Sequence, residues 1–235
     1  NETTYALFST PLNKKIIANL ESQGKRFFLI PKFETESVKL EFESIIQDVL
    51  NFDWIVFSDI FTVEYFIEVL QENDFDLYDL DSIRICSIGE ATADRLRFSE
   101  IHSDIIASAF DSEKIVRIIE NYISGETSPN LNTLLLKEFS EKSDLAEKLQ
   151  DAGFIVSESG IYQIEKKQTS EITRLKAILL GGGIDEVIIS DPTDFIGFRF
   201  LFDVHLENLK FSVTNDLSFQ MLQEFGLNPK FYNQK

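Results

Sequence analysis

Short apolar runs alternate with helical patterns along almost the whole chain, and this alternation is the feature that most constrains its fold. Residues 54–57, 83–88 and 186–190 are short and rich in Ile and Val, as buried strands are. Each run is followed by a stretch with apolar residues at helical spacing, such as 62–71 after the first. Strands that alternate with helices form parallel sheets covered by helices. The predicted fold class is therefore α/β.

The predicted strands cover residues 5–9, 26–30, 54–57, 83–88, 105–106, 131–136, 154–162, 186–190 and 211–213. The predicted helices cover residues 13–23, 38–50, 62–71, 90–97, 112–123, 142–152, 171–180, 194–201 and 217–225. Gly24 and Gly226 follow two of these helices, at the position where glycine commonly ends a helix.

One segment of the chain recurs. Asp53-Trp-Ile-Val-Phe-Ser-Asp59 matches Asp185-Glu-Val-Ile-Ile-Ser-Asp191, and a predicted helix carrying a Phe follows each copy. Further along, Ser87-Ile-Gly-Glu-Ala-Thr92 matches Ser212-Val-Thr-Asn-Asp-Leu217. Two copies of one strand-and-helix half indicate two similar domains, with a chance match of short segments as the alternative.

Charge and cysteine content exclude several classes of function. The net charge is −18, and such a surface repels nucleic acid and anionic membranes. The only cysteine is Cys86, so no internal disulfide can form and a reducing compartment is expected. No apolar run reaches the roughly 18–20 residues of a membrane span, and no signal peptide pattern is visible. We therefore expect a cytoplasmic protein.

No motif predicts a metal or an organic cofactor. The run Gly181-Gly-Gly183 follows a predicted helix and precedes a strand, which is typical of a helix end rather than of a phosphate loop. The acidic segment 74–81 lacks the central Gly and the final Glu of a calcium loop, and a solvated loop is expected there. His102 and His205 are far apart, and neither has a second ligand at metal-binding spacing.

Polar residues follow several predicted strands directly. In open parallel sheets, ligands bind outside the carboxyl ends of the strands, beside helix N-termini. Ser, Thr and Asp also occur there simply because they cap helices, so capping is the alternative explanation. The segments concerned are 9–11, 58–59, 87–92 and 190–193.

These segments carry a resemblance to a known family. Ile88-Gly-Glu-Ala-Thr-Ala-Asp-Arg-Leu96 is similar to the Gly-x-x-Thr-Ala segment of uroporphyrinogen-III synthases. Residues 53–63 resemble the family's strand and following helix, and 148–156 with Gly160-Ile-Tyr162 resemble its helix, Gly, strand and tyrosine. Residues 189–198 and 224–229 resemble its later segments, in the same order.

The resemblance implies an architecture of two similar α/β domains joined by a two-stranded linker. One domain would be discontinuous, built from residues 1–32 and 166–235, and the other would be continuous over 34–160. The crossings between them would lie near 30–33 and 162–167. In this family the cleft between the domains binds a linear tetrapyrrole.

The resemblance also implies a reaction without metal or cofactor. Uroporphyrinogen-III synthase takes hydroxymethylbilane, a linear tetrapyrrole polycarboxylate, removes water, inverts the last pyrrole ring and closes the macrocycle. By this resemblance the chain would act as a monomer. Tyr162 would assist the departure of water, with a purely structural role as the alternative, and Thr92 would bind a substrate carboxylate. Further substrate-binding candidates are Ser9, Thr10, Ser58, Ser87, Gly89, Ser190, Thr193 and Thr214.

Several residues depart from the family pattern. Ser9-Thr10-Pro11 lacks the family's Arg, and Asp59 and Asp191 place carboxylates where neutral donors are expected. Lys137-Glu138 stands where a Gly usually follows the strand, and in the second Gly-x-x-Thr segment Thr214 and Leu217 replace Gly and Thr. Two alternatives therefore stand beside the enzyme: a non-catalytic binding or regulatory relative, and an unrelated two-domain protein that binds a small ligand in a cleft.

Overall fold

The computed structural model describes residues 2–38, 42, 45–165 and 169–233, which form two sheets flanked by helices. The strands are β1 Thr4–Phe8, β2 Arg26–Ile30, β3 Thr35–Ser37, β4 Trp54–Phe57, β5 Arg84–Ile88, β6 Ile105–Ala107, β7 Asn132–Glu138, β8 Ile155–Ile164, β9 Glu186–Ile189, β10 Phe211–Val213 and β11 Lys230–Phe231. The helices are α1 Lys14–Ser22, α2 Ile60–Glu72, α3 Glu90–Phe98, α4 Ser112–Ile123, α5 Leu145–Asp151, α6 Ser170–Leu180, α7 Pro192–Phe202 and α8 Asp216–Glu224. The α/β fold class predicted from the sequence is confirmed.

The chain divides into two compact units. One comprises Asn1–Glu34 and Ile164–Lys235, and the other comprises Thr35–Gln163. β1 and β4, the first strand of the chain and the strongly apolar strand at 54–57, belong to different sheets.

The sheet of the first unit has the strand order β11-β10-β9-β1-β2. Its strands run parallel, with Ala6 paired to Phe28 of β2 on one side and to Val187 of β9 on the other. Ile16 and Leu20 of α1 pack against Leu7 in a buried cluster beside this sheet. They lie four residues apart and so on one face of the helix, which is why the sequence predicts this helix correctly.

The sheet of the second unit has the order β3-β8-β7-β4-β5-β6. All four residues of β4 are buried, because parallel strands flank it on both edges and helices cover its faces. From α4, Ile115, Ile119 and Ile123 join the core cluster beside this sheet, again at helical spacing.

A few elements differ from the sequence prediction. β3 and β11 are three and two residues long and are not predicted, because segments this short show no clear alternation. α5 begins at Leu145 rather than at 142. Within the predicted helix 38–50, residues 39–41, 43 and 44 lie outside the described residues, and a 3₁₀ turn, Val49–Asn51, ends the segment. Residues 166 and 167 of the predicted second crossing also lie outside the described residues.

Candidate functional site

Ser58 and Asp59 follow β4 at the carboxyl edge of the second sheet. Asp59 caps α2: its Oδ1 accepts a hydrogen bond from the Thr62 N–H at 2.9 Å. The Asp59 N–H in turn donates to Thr62 Oγ1 at 3.3 Å, which completes a capping box. The Ser58 hydroxyl oxygen is buried and has no hydrogen-bond partner among the described residues. One carboxylate therefore fixes the start of α2, beside a buried hydroxyl.

Tyr162 reaches the same carboxylate from β8. Its hydroxyl donates to Asp59 Oδ2 at 2.6 Å, and the Tyr162 side chain is fully buried. Burial, and after it the charge of Asp59, raises the pKa of Tyr162 well above its ordinary value. Tyr65 stacks on the Tyr162 ring with centroids 5.7 Å apart. Tyr162 is thus a neutral phenol with a fixed ring, and its proton points at Asp59.

The start of α3 gathers the next group of predicted residues. Gly89 caps this helix with φ of 84°, a conformation that L side chains rarely adopt, and its N–H donates to the Ala107 carbonyl at 2.9 Å. Thr92 lies in the first turn and is 1% exposed. Ser87 is also buried and accepts a hydrogen bond from the Ser103 hydroxyl at 2.9 Å. These three predicted residues surround one helix N-terminus.

In the first unit, hydrogen bonds tie together the carboxyl ends of three neighbouring strands. The Ser190 hydroxyl, after β9, donates to Asn13 Oδ1 at 2.5 Å, and Asn13 Nδ2 donates to the Phe8 carbonyl of β1 at 2.8 Å. Asn215, after β10, donates through Nδ2 to the Ser190 carbonyl at 2.8 Å. Asn13 and Asn215 were not among the residues predicted from the sequence, although an Asn soon after a strand end is a recognisable capping signal.

The other predicted residues of this edge differ in their surroundings. Ser9 and Thr214 are exposed, whereas the Thr10 hydroxyl oxygen is buried without a partner among the described residues. Thr193 donates to Asp191 Oδ1 through its N–H at 2.9 Å and through its hydroxyl at 2.5 Å. Asp191 is therefore the N-cap of α7, as Asp59 is of α2.

Asp194 is a buried carboxylic acid that the sequence analysis missed. It is 5% exposed, and its Oδ2 atom has no hydrogen-bond partner in the described part of the chain. Burial, and after it the neighbouring charge of Asp191, raises its pKa to about 7. In the internal repeat Asp194 corresponds to Thr62, so a carboxyl group occupies the position of the capping-box hydroxyl. This difference between the two copies of the repeat is the signal by which Asp194 could have been found from the sequence.

At the end of β7, Glu138 is buried, and its Oε2 accepts from the Ser140 N–H at 2.6 Å and from the Ser140 hydroxyl at 2.7 Å. The next residue, Phe139, donates its N–H to the Tyr162 carbonyl at 2.8 Å. Cys86 lies within β5, and burial raises the pKa of its thiol to about 12, which makes it a poor nucleophile.

Within the described ranges, no three His, Cys, Asp or Glu side chains are grouped so that they could hold a metal ion. No helix in the same ranges is long and apolar enough to span a membrane. What the two edges offer chemically is a set of hydroxyls, backbone N–H groups at helix starts, one phenol and two capping carboxylates.

Comparison with known proteins gives one family and one fold. The sequence profile of the family described as uroporphyrinogen-III synthase HemD matches residues 14–232. No curated protein matches the chain in sequence.

Among solved structures, wild-type uroporphyrinogen III synthase from the extremely thermophilic bacterium Thermus thermophilus is similar with a TM-score of 0.65 at 17% identity, covering 99% of this chain and 92% of that chain. Another structure of the Thermus thermophilus enzyme gives a TM-score of 0.61 at 14% identity, covering 99% and 94%. At these identities the structural likeness establishes a shared fold.

Proposed function

This chain belongs to the uroporphyrinogen-III synthase family, and we propose that it closes hydroxymethylbilane into the type III macrocycle with loss of water and inversion of the last pyrrole ring. The profile match over residues 14–232 is the observation that carries this proposal. It confirms the family and the enzyme class predicted from the sequence. Neither the non-catalytic alternative nor the unrelated ligand-binding alternative gains support from the comparisons.

The groups at the two sheet edges suit this chemistry. An electron-rich pyrrole expels hydroxide once that leaving group is protonated or hydrogen-bonded, and the resulting cation reacts readily. The protein then mainly holds the chain folded for attack at the correct carbon, which positioning alone can accelerate greatly. Hydroxyls and backbone N–H groups on anchored loops serve that purpose without a metal or a strong base.

Tyr162 remains our candidate for assisting the departure of water. Its phenol carries a proton at neutral pH, as an ordinary tyrosine does, and burial and Asp59 raise its pKa further. In the structure that proton is donated to Asp59. Catalysis therefore requires that Tyr162 exchange this hydrogen bond for one to the leaving oxygen when substrate binds. Asp59 acts as a positioning residue in this scheme.

Substrate carboxylates would be bound by neutral donors. The protein carries a net charge of −18, which repels a polycarboxylate at long range, so local hydroxyls and N–H groups must supply the attraction. Thr92 and Gly89 lie at the start of α3, where backbone N–H groups are available. The remaining proposed contacts are Ser9, Thr10, Ser58, Ser87, Ser190, Thr193 and Thr214.

The proposal includes the domain organisation implied by the family. A discontinuous domain of residues 1–32 and 166–235 and a continuous domain of 34–160 would bind the substrate as a monomer. Cys86, the single cysteine of the sequence, is a free buried thiol, which suits a protein of the reducing cytoplasm.

Product analysis tests the proposal. Purified protein is mixed with freshly generated hydroxymethylbilane, the products are oxidised to porphyrins, and the type I and type III isomers are separated by chromatography. We expect type III product, whereas hydroxymethylbilane alone closes to type I. Type I product alone, from a protein whose fold is verified by circular dichroism, would overturn the proposal.

A further inference from the structure

Phe139 presents an exposed aromatic ring at the carboxyl edge of the second sheet. It directly follows β7, which lies between β8 and β4, and its side chain is 47% exposed. Isolated exposed apolar side chains are common on protein surfaces and need no special role. Phe139 differs from such a side chain in how its backbone is held and in what surrounds it.

The backbone of Phe139 is anchored on both sides. Its own N–H donates to the Tyr162 carbonyl at 2.8 Å. The preceding residue, Glu138, is buried and accepts two hydrogen bonds from Ser140, which follows Phe139. The pairing of β7 with β8 is also irregular just before this point, since Lys137 pairs with Gly160 and Glu138 with Tyr162. The backbone of Phe139 is thereby held in place.

Gly160 on β8 provides the surface against which Phe139 lies. A Cβ atom at Gly160 would lie 2.6 Å from the Cα of Phe139 and 3.1 Å from its ring atom Cδ2. No side chain other than hydrogen fits at residue 160 while Phe139 keeps its place. The ring is thus packed on one side against backbone and left open to solvent on another.

The ammonium group of Lys137, two residues before Phe139, is already engaged. The Lys137 ammonium pairs with the Glu158 carboxylate and also donates to the Glu141 carbonyl at 3.3 Å. Lys137 is therefore poorly placed to bind a substrate carboxylate. The flat apolar face of Phe139 is what this part of the edge offers a ligand. The backbone of Phe139 is hydrogen-bonded to β8, the strand that carries Tyr162.

We propose that Phe139 is a substrate-positioning platform that stacks against one pyrrole ring of the linear tetrapyrrole. The inference rests on the proposed function, since a chain of flat electron-rich rings is what that reaction takes. Aromatic rings attract one another in offset or edge-to-face arrangements, in addition to the apolar area that they bury. A platform that does not move on binding restricts where the bound pyrrole can lie, which is what the ring-inverting closure requires.

Two substitutions separate the ring from its bulk. Phe139→Leu keeps an apolar side chain and removes the aromatic face, so we expect KM to rise about 2- to 12-fold with kcat within about twofold of wild type. Phe139→Tyr keeps the ring and should stay close to wild type. The matched control is Phe98→Leu, which makes the same change at an exposed ring at the end of α3. It should leave both constants unchanged.

Equilibrium binding of uroporphyrin III, followed by fluorescence, gives a second readout and separates two kinds of failure. If wild type forms type III product and Phe139→Leu matches it in KM and in porphyrin affinity, this inference fails and the proposed function stands. An equal rise in KM in Phe139→Leu and Phe139→Tyr would also overturn the inference, since the aromatic ring would then not be the feature that the substrate contacts. If wild type neither forms type III product nor binds the porphyrin, both proposals fall. If wild type is inactive but binds the porphyrin, weaker binding by Phe139→Leu alone supports the platform, and equal binding by the two variants overturns it.

Discussion

Replacing Asp194 by Asn should change how the stability of the protein depends on pH. Asp194 is buried on α7 with one carboxyl oxygen lacking a partner among the described residues, and its pKa is raised from 3.8 to about 7. Desolvation is the first cause and the charge of Asp191 the second. Asn has nearly the same shape and carries no charge, so the substitution removes the titration and little else.

The sign and size of the pH dependence of the free energy of unfolding follow from proton linkage. Below pH 3.8 the carboxyl is protonated in both the folded and the unfolded chain, and its contribution to stability is fully present. Between pH 3.8 and about 7 the unfolded chain loses the proton first, so the free energy of unfolding falls as the pH rises. The pKa difference of about 3 units corresponds to about 4 kcal/mol, of which roughly 2–3 kcal/mol is lost between pH 5 and pH 8.

Urea unfolding followed by circular dichroism at pH 5, 6, 7 and 8 measures this dependence. The free energy of unfolding of wild type should fall by roughly 2–3 kcal/mol more over this range than that of Asp194→Asn. Glu21→Gln is the control, because it removes one exposed carboxylate from the same unit and should follow wild type. Parallel pH profiles for wild type and Asp194→Asn would refute the reasoning, since Asp194 would then titrate alike in both states.

Two further substitutions test the second sheet edge. Tyr162→Phe should lower the rate of type III formation about ten- to a hundredfold, because one hydrogen bond to the leaving group is lost. Residual activity should remain, because the substrate is still positioned. Steady-state kinetics measures this rate, and an unchanged kcat would make Tyr162 purely structural. The same variant should lose about 1–3 kcal/mol of stability, because Asp59 loses a buried donor. Gly160→Ala should destabilise the protein by about 1–3 kcal/mol in urea unfolding, since the new methyl group meets Phe139. The double variant with Phe139→Ala should not recover this loss, because the nearest atom is the Cα of residue 139; full recovery would contradict the contact.

The fold was predictable because its signals are local. An unbroken apolar run predicts β4, and isoleucines four residues apart predict α4. Both elements lie where the sequence predicts them. β3 and β11 were missed, since three and two residues are too few to show a period. Helix caps such as Asp59 and Asp191 were visible as polar residues after strands, although their capping geometry was not.

The site was predictable only in outline. Polar residues after strands indicated both edges, but tertiary contacts decide what each one does. The Tyr162 hydroxyl meets a carboxylate 103 residues away in sequence, and Ser190 meets Asn13 across a separation of 177. The buried hydrogen bond of Tyr162 to Asp59, which gives Tyr162→Phe an effect on stability, depends on the fold and is not visible in the sequence. Phe139 was missed because its placement depends on the close approach of its backbone and ring to Gly160, which lies 21 residues away in sequence.

The isomer ratio of the product, measured as a function of protein concentration, tests the central claim most directly. Spontaneous closure of hydroxymethylbilane to type I proceeds at a fixed rate, so a true synthase must outcompete it increasingly as more protein is added. The account predicts that the type III fraction rises with protein concentration towards complete conversion, and that heat-denatured protein gives only type I. A type III fraction that stays at the background level at every concentration of folded protein would contradict it.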